Sequence, residues 1–125
     1  PDPVGPLAGT TQRTYDELGA LATRPWVLLS AAAGPADFQR SLTYALRAGA
    51  SGYLCGRAIW QDAFEHFPDL RAMERELATG SVRYVQSLNG LTDRLAVPWQ
   101  RHPAWRGGVA MAGDGPDFAA GYAPG

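Results

Sequence analysis

Trp26-Val27-Leu28-Leu29-Ser30 and, further on, Gly52-Tyr53-Leu54-Cys55-Gly56 decide the fold of this chain. Each is a short, unbroken apolar run, the pattern of a strand buried on both faces in a parallel sheet. Between them, Ala31-Ala32-Ala33-Gly34-Pro35 reads as a turn, with Pro35 suited to the first helical position. Phe38, Leu42, Ala45 and Leu46 then form one apolar helical stripe, and Gly49 closes that helix. Strand, helix and strand fit within about 30 residues, the size of a βαβ unit. The strands are therefore expected to be adjacent and parallel, joined by a right-handed crossover through a helix over about Pro35–Ala48.

Outward from this unit, helical patterns dominate. Thr10 or Thr11 opens a helix to about Ala22, with Leu18, Leu21 and Ala22 as its apolar face. The capping-box spacing of Thr14 and Glu17 leaves its start open to either side of Thr14. Arg57-Ala58-Ile59-Trp60 starts a helix directly after the second strand. From Asp69 a helix carries Leu70, Met73 and Leu77, and Gly80-Ser81 is expected to interrupt it before another over about Val82–Ala96. Pro98 stops the latter. Two domain segments result: a folded part over 1–101, and a tail over 102–125 with six glycines and three prolines, expected to lack regular structure.

Composition removes several classes of function. The 125 residues are 46% apolar and 18% charged, with net charge −1, so no global field draws the chain to nucleic acid or to an anionic membrane. No apolar run reaches the roughly 18 residues of a membrane span. A lone cysteine, Cys55, rules out an internal disulfide framework, and His66 with His102 does not by itself suggest a metal site. All 11 basic residues are arginine. Residue 1 is Pro, and Pro1–Pro6 lacks the apolar stretch of a signal peptide, so the sequence reads as a processed chain or a fragment.

The candidate functional residues sit just beyond the strands, where parallel α/β folds bind ligands. Ser30 ends the first strand and is either a ligand contact or a turn serine. Arg57 follows the second strand; its guanidinium suits a phosphate or sulfonate, or else pairs with a carboxylate such as Asp62. Gly56 would let backbone approach a ligand. The equivalent placement on successive strands favours the binding reading of both. Cys55 reads as a small buried hydrophobe, and Trp26, Trp60 and Trp99 as packing anchors. Asp16, Glu17, Glu74 and Glu76 read as solvated helix faces.

Arg24-Pro25-Trp26-Val27-Leu28-Leu29-Ser30 and Gly49-Ala50-Ser51-Gly52-Tyr53-Leu54-Cys55-Gly56-Arg57-Ala58-Ile59-Trp60 resemble the last two βα units of a class I aldolase family. That family contains tagatose 1,6-bisphosphate aldolase and the sulfofructose-phosphate aldolase of sulfoglycolysis. The helices after Asp69, through Val97-Pro98-Trp99, resemble its C-terminus. The resemblance runs from about Pro1 to Trp99. It implies the C-terminal part of a (β/α)8 TIM barrel: the end of unit six, then units seven and eight. It further implies a cytoplasmic lyase, homo-oligomeric when full length, that needs no cofactor. A lysine on strand six, upstream of this chain, would form a Schiff base with a ketose phosphate and yield dihydroxyacetone phosphate and an aldehyde. Ser30, Ala31, Ala32, Gly56 and Arg57 would bind the phosphate or sulfonate end of that ketose. At Ala32 the family usually carries glycine, which puts anion binding through that loop in question. Ala50-Ser51-Gly52 and Val27–Ser30 lie nearer the sulfosugar branch.

The rival reading is a non-catalytic sugar-phosphate-binding barrel protein without the strand-six lysine. A free-standing two-stranded α/β domain is not expected, because so narrow a sheet cannot bury both helix layers.

Overall fold

The computed structural model describes residues 7–108; residues 1–6 and 109–125, including most of the expected tail, lie outside the described residues. The chain order is α1 (Ala8–Leu21), β1 (Val27–Leu29), α2 (Pro35–Arg47), β2 (Gly52–Leu54), α3 (Arg57–Phe64), α4 (Leu70–Glu76) and α5 (Val82–Leu95). Short 3-10 turns follow at Trp99–Arg101 and Pro103–Trp105. The described chain is thus α/β, with β1 and β2 parallel in the register Val27↔Gly52, Leu28↔Tyr53 and Leu29↔Leu54.

Helix α2 organises the core. Gly34 caps it in extended conformation, Pro35 opens it, and Asp37 places a carboxylate in the first turn, where it complements the helix dipole and pairs with Arg40. The stripe expected from sequence is the buried one: Phe38, Leu42, Ala45 and Leu46 join Ala50, Leu88 and Leu91 in the core. Burying each of the larger side chains stabilises the fold by roughly 1.5–3 kcal/mol. Leu28, Tyr53 and Cys55 pack against this cluster from the sheet. Gly49 ends α2 at φ +94°, a conformation glycine adopts without steric penalty.

The strands are covered on one face only. Val27, Leu29 and Leu54 are exposed on the other, so the expected burial on both faces is not met within the described residues. Side-chain alternation explains the split, since the helices reach one parity of a three-rung ladder.

Helix α1 packs differently from its apolar pattern. Leu18 and Leu21 are exposed, and the half-buried face is Thr11, Gln12, Tyr15, Gly19 and Ala22. Gly19 is the reason: a Cβ there would lie 2.1 Å from the Ala48 carbonyl oxygen, so the glycine allows the helices to touch. Tyr15 stacks on Tyr44 at 5.8 Å beside this contact. Thr14 lies inside the helix, its hydroxyl bonded to the Thr10 carbonyl at 3.3 Å, so the start precedes it.

Asp69 caps α4 by accepting the Ala72 N–H at 2.9 Å. The break expected at Gly80-Ser81 is instead a π-helical turn, Leu77–Ser81, that runs α4 into α5 without interruption. The absent Cβ of Gly80 leaves the space taken by the Glu76 carboxylate. Trp26 packs against the core, whereas Trp60 and Trp99 are exposed and contact Phe64 and Trp105 respectively.

Two substitutions should separate the faces of the sheet. Leu42→Ala, in the core, should cost about 2–5 kcal/mol by urea unfolding. Leu29→Lys, on the open face, should stay within about 0.5 kcal/mol while reducing self-association measured by light scattering.

Candidate anion-binding site at the strand ends

The parallel pairing brings the two expected site segments together. Ser30 donates its N–H to the Leu54 carbonyl at 3.0 Å, extending the ladder by one bond and seating the 30–34 turn beside Cys55 and Gly56. Ala33 then donates to the Ser30 carbonyl at 2.9 Å, closing the turn. Between these bonds Ala31 and Ala32 both hold left-handed backbone, φ +48° and +69°. This is the conformation that glycine would adopt freely at Ala32, and alanine holds it against roughly 1–2 kcal/mol of steric cost per residue.

The five expected residues are placed unequally. Ala31, Ala32, Gly56 and Arg57 are exposed at the carboxyl ends of the strands. Ser30 is 7% exposed, and strand parity sets its side chain toward the helix-covered face. Ser30 therefore meets the turn through its backbone.

Arg57 is the first residue of α3 and makes no hydrogen bond or ion pair among the described residues. The alternative pairing with Asp62 does not form. Residues five apart lie on different sides of a helix, whereas pairing partners stand three or four apart. The Gly56 carbonyl accepts the Ile59 N–H at 2.8 Å, which starts α3 at Arg57. An unpaired arginine, a helix N-terminus and a turn fixed in left-handed backbone together provide positive potential suited to an anion.

Two tyrosines that sequence reasoning passed over hold this end of the fold. Tyr84 donates its hydroxyl to the Pro35 carbonyl at 2.8 Å, tying α5 to the first turn of α2. Tyr53 donates to Asn89 at 2.8 Å and meets Phe38 edge-on at 6.1 Å. These contacts join residues far apart in sequence, and no local pattern announces them. Burial, with Cys55 and Tyr53 nearby, pushes the Tyr84 hydroxyl up to about 12. Burial likewise raises Tyr53 and the Cys55 thiol, the latter offset in part by Ser30.

A cleft of about 540 Å3 opens at the other end of the strands, among residues such as Trp26, Gly49, Val97 and His102. In parallel α/β folds that end serves stability more than binding. No group of three or more potential metal ligands occurs among the described residues, and no described helix is long and apolar enough to cross a membrane.

Sequence comparison with known proteins finds partial relatives. No family model matches the chain. A tagatose 1,6-diphosphate aldolase of Listeria monocytogenes is 33% identical over 91 residues, covering 70% of this chain and 27% of that protein. Tagatose 1,6-diphosphate aldolase 2 of Streptococcus mutans is 31% identical over 91 residues, covering 70% and 28%. Its counterpart in Streptococcus pyogenes is 33% identical over 79 residues, covering 60% and 24%. The chain is a homologue of these aldolases, as the resemblance in its strand segments implied. It spans about a quarter of the length of the curated relatives it matches.

Two measurements follow. Ala32→Gly should relieve left-handed strain and raise stability by up to about 1 kcal/mol, net of the greater unfolded-state entropy of glycine. The Tyr84 hydroxyl binds its proton more tightly folded than unfolded. Its stabilisation is therefore complete below the unfolded pKa near 10 and lost as pH rises through 10 to about 12. Urea midpoints should fall across that window, and Tyr84→Phe should flatten the fall.

Proposed function

We propose that these residues form the closing part of a (β/α)8 class I aldolase barrel, the end of unit six with units seven and eight. In this reading they bind the anionic end of a phosphorylated or sulfonated ketose. The observation that carries it is Arg57: unpaired among the described residues, at the carboxyl end of β2, beside a turn of exposed backbone. The names of the relatives, tagatose 1,6-diphosphate aldolases, supply the substrate class.

The uncovered apolar face of Val27, Leu29 and Leu54 supports the barrel reading, since the interior of such a barrel is packed with branched apolar side chains. The chain has no lysine, so the Schiff-base amine would belong to a strand earlier in the barrel. There the amine condenses with the ketose carbonyl and releases water. The resulting iminium accepts the electron pair of the breaking carbon–carbon bond as the hydroxyl on the departing carbon gives up its proton and the aldehyde leaves. The enamine left on the amine is then protonated and hydrolysed by water to dihydroxyacetone phosphate, restoring the amine. The role of the present residues is orientation. Arg57 grips two oxygens of the phosphate or sulfonate through its planar fork, and the 30–33 turn with Gly56 brings backbone close to the same group.

Steady-state kinetics on the chain completed to a full barrel test this. Arg57→Ala should lower kcat/KM about ten- to a hundredfold or more, the loss expected when a charge-assisted hydrogen bond is removed. Arg57→Lys should recover part, because lysine lacks the bidentate fork. Running phosphorylated and sulfonated ketoses side by side identifies the preferred anion. A kcat/KM within twofold of the unsubstituted enzyme for every substrate would make Arg57 a structural arginine.

A further inference from the structure

A pocket of about 190 Å3 lies between α3, the first turn of α2 and the π turn that joins α4 to α5. Asp62 and Glu76 bring two carboxylates to it, Ser81 and Tyr84 bring hydroxyls, and Pro35 and Ile59 form apolar wall. No basic side chain lines it. Neither carboxylate forms an ion pair among the described residues. The Glu76 side chain folds over Gly80, in space that a Cβ would fill. The Tyr84 hydroxyl hydrogen is engaged by the Pro35 carbonyl, so toward the pocket its oxygen can only accept. Ser81 is 6% exposed, yet its hydroxyl has no hydrogen-bond partner among the described residues. Thr43, Thr79 and Thr92 each donate to the carbonyl four residues earlier, at 2.9, 2.7 and 2.8 Å. Ser81 closes the π turn, whose wider ladder departs from the α-helical geometry behind that bond. The groove on its other side, between Ile59 and Val82, is apolar, so the hydroxyl meets open space on the carboxylate side.

We propose that this pocket binds a primary alkylammonium ion, its N–H groups on Asp62, Glu76 and the Ser81 hydroxyl and its alkyl stem along Pro35 and Ile59. The lining decides the class. Two carboxylates and hydroxyl oxygens, with no cation beside them, attract a positively charged donor and repel an anion. A primary ammonium carries three N–H donors, which two carboxylates and one hydroxyl satisfy. A bare hard metal ion takes roughly six to eight oxygens, and no group of three or more potential metal ligands occurs among the described residues. The pocket is about six times a water molecule's share of roughly 30 Å3, room for a chain of a few carbons. This chain has no lysine, and none of its arginines lines the pocket, so it holds no cation of its own to fill it. The site is independent of the anion reading at Arg57 and carries the opposite charge.

The 125-residue chain is titrated with n-butylammonium chloride at fixed ionic strength, followed by amide shifts at Glu76, Gly80, Ser81 and Tyr84. Saturable shifts at these residues are expected. Glu76→Gln and Asp62→Asn should each weaken binding about tenfold, the loss of one charge-assisted hydrogen bond open in part to solvent. Ser81→Ala separates the site from the fold. It should weaken binding roughly three- to tenfold while the urea midpoint holds or rises, because a buried hydroxyl without a partner disappears. Side-by-side titrations with 1,4-diaminobutane and Nα-acetyl-lysine amide identify the source: tighter diamine binding points to a free amine, tighter binding of the lysine amide to a lysine side chain. The site is overturned by any of four results. These are no saturable shift with butylammonium, equal shifts with sodium, magnesium or tetramethylammonium chloride, unchanged affinity in Ser81→Ala, or affinity within about twofold in the variant carrying both Asp62→Asn and Glu76→Gln.

Discussion

Three ladder rungs between Val27–Leu29 and Gly52–Leu54 set where nearly every functional atom lies. Strand side chains alternate with period two, so a slip of one residue would exchange the two faces. Leu28 and Tyr53 would leave the helix-covered core, and Ser30 would turn its hydroxyl to the open face. Bonds beyond each end of the ladder fix the register: Ser51 donates to the Trp26 carbonyl at 2.8 Å, and Ser30 to that of Leu54 at 3.0 Å. Tyr53 adds a side-chain anchor through Asn89 on α5. A pair of strands this short relies on such outside restraints, because its own hydrogen bonds are few and each contributes only about 0.5–1.5 kcal/mol net.

What could be read from the sequence followed from local rules. The βαβ unit, its parallel pairing, the α2 stripe and the closing role of Gly49 all rest on periodicity and on residues with a fixed backbone preference. The readings that failed depended on what an element packs against. Leu18 and Leu21 look like a core stripe, but Gly19 directs α1 against Ala48 and leaves both leucines exposed. Gly80 looks like a helix breaker, yet the helix runs through it as a π turn with the Glu76 carboxylate over the missing side chain. Single residues carry no sign of which of these contexts they will meet.

The candidate site divides along the same line. Positions beyond the strands follow from the fold class, so Ser30, Gly56 and Arg57 could be named before any coordinates. The direction of each side chain could not. Strand parity turns Ser30 inward, and helix spacing keeps Arg57 from Asp62. Tyr84 reaches Pro35 across 49 residues of sequence and was invisible to any local pattern.

The turn from Ser30 to Gly34 is where stability and the proposed function oppose one another. Two successive left-handed alanines are an expensive way to leave a strand, and a chain optimised only for stability would place glycine there. Persisting strain requires surroundings that over-determine it. Here they are the Ser30 bonds on one side and, on the other, α2, whose first turn is tied to α5 by Tyr84. The alanine methyl groups narrow the backbone conformations the turn can visit, so its N–H groups are held in place before a ligand arrives. A glycine turn would be more stable but freer, and would lose more entropy when it closes on an anion. Preorganisation of the turn and the unpaired charge of Arg57 thus act on the same step. One lowers the ordering cost of binding and the other supplies the attraction.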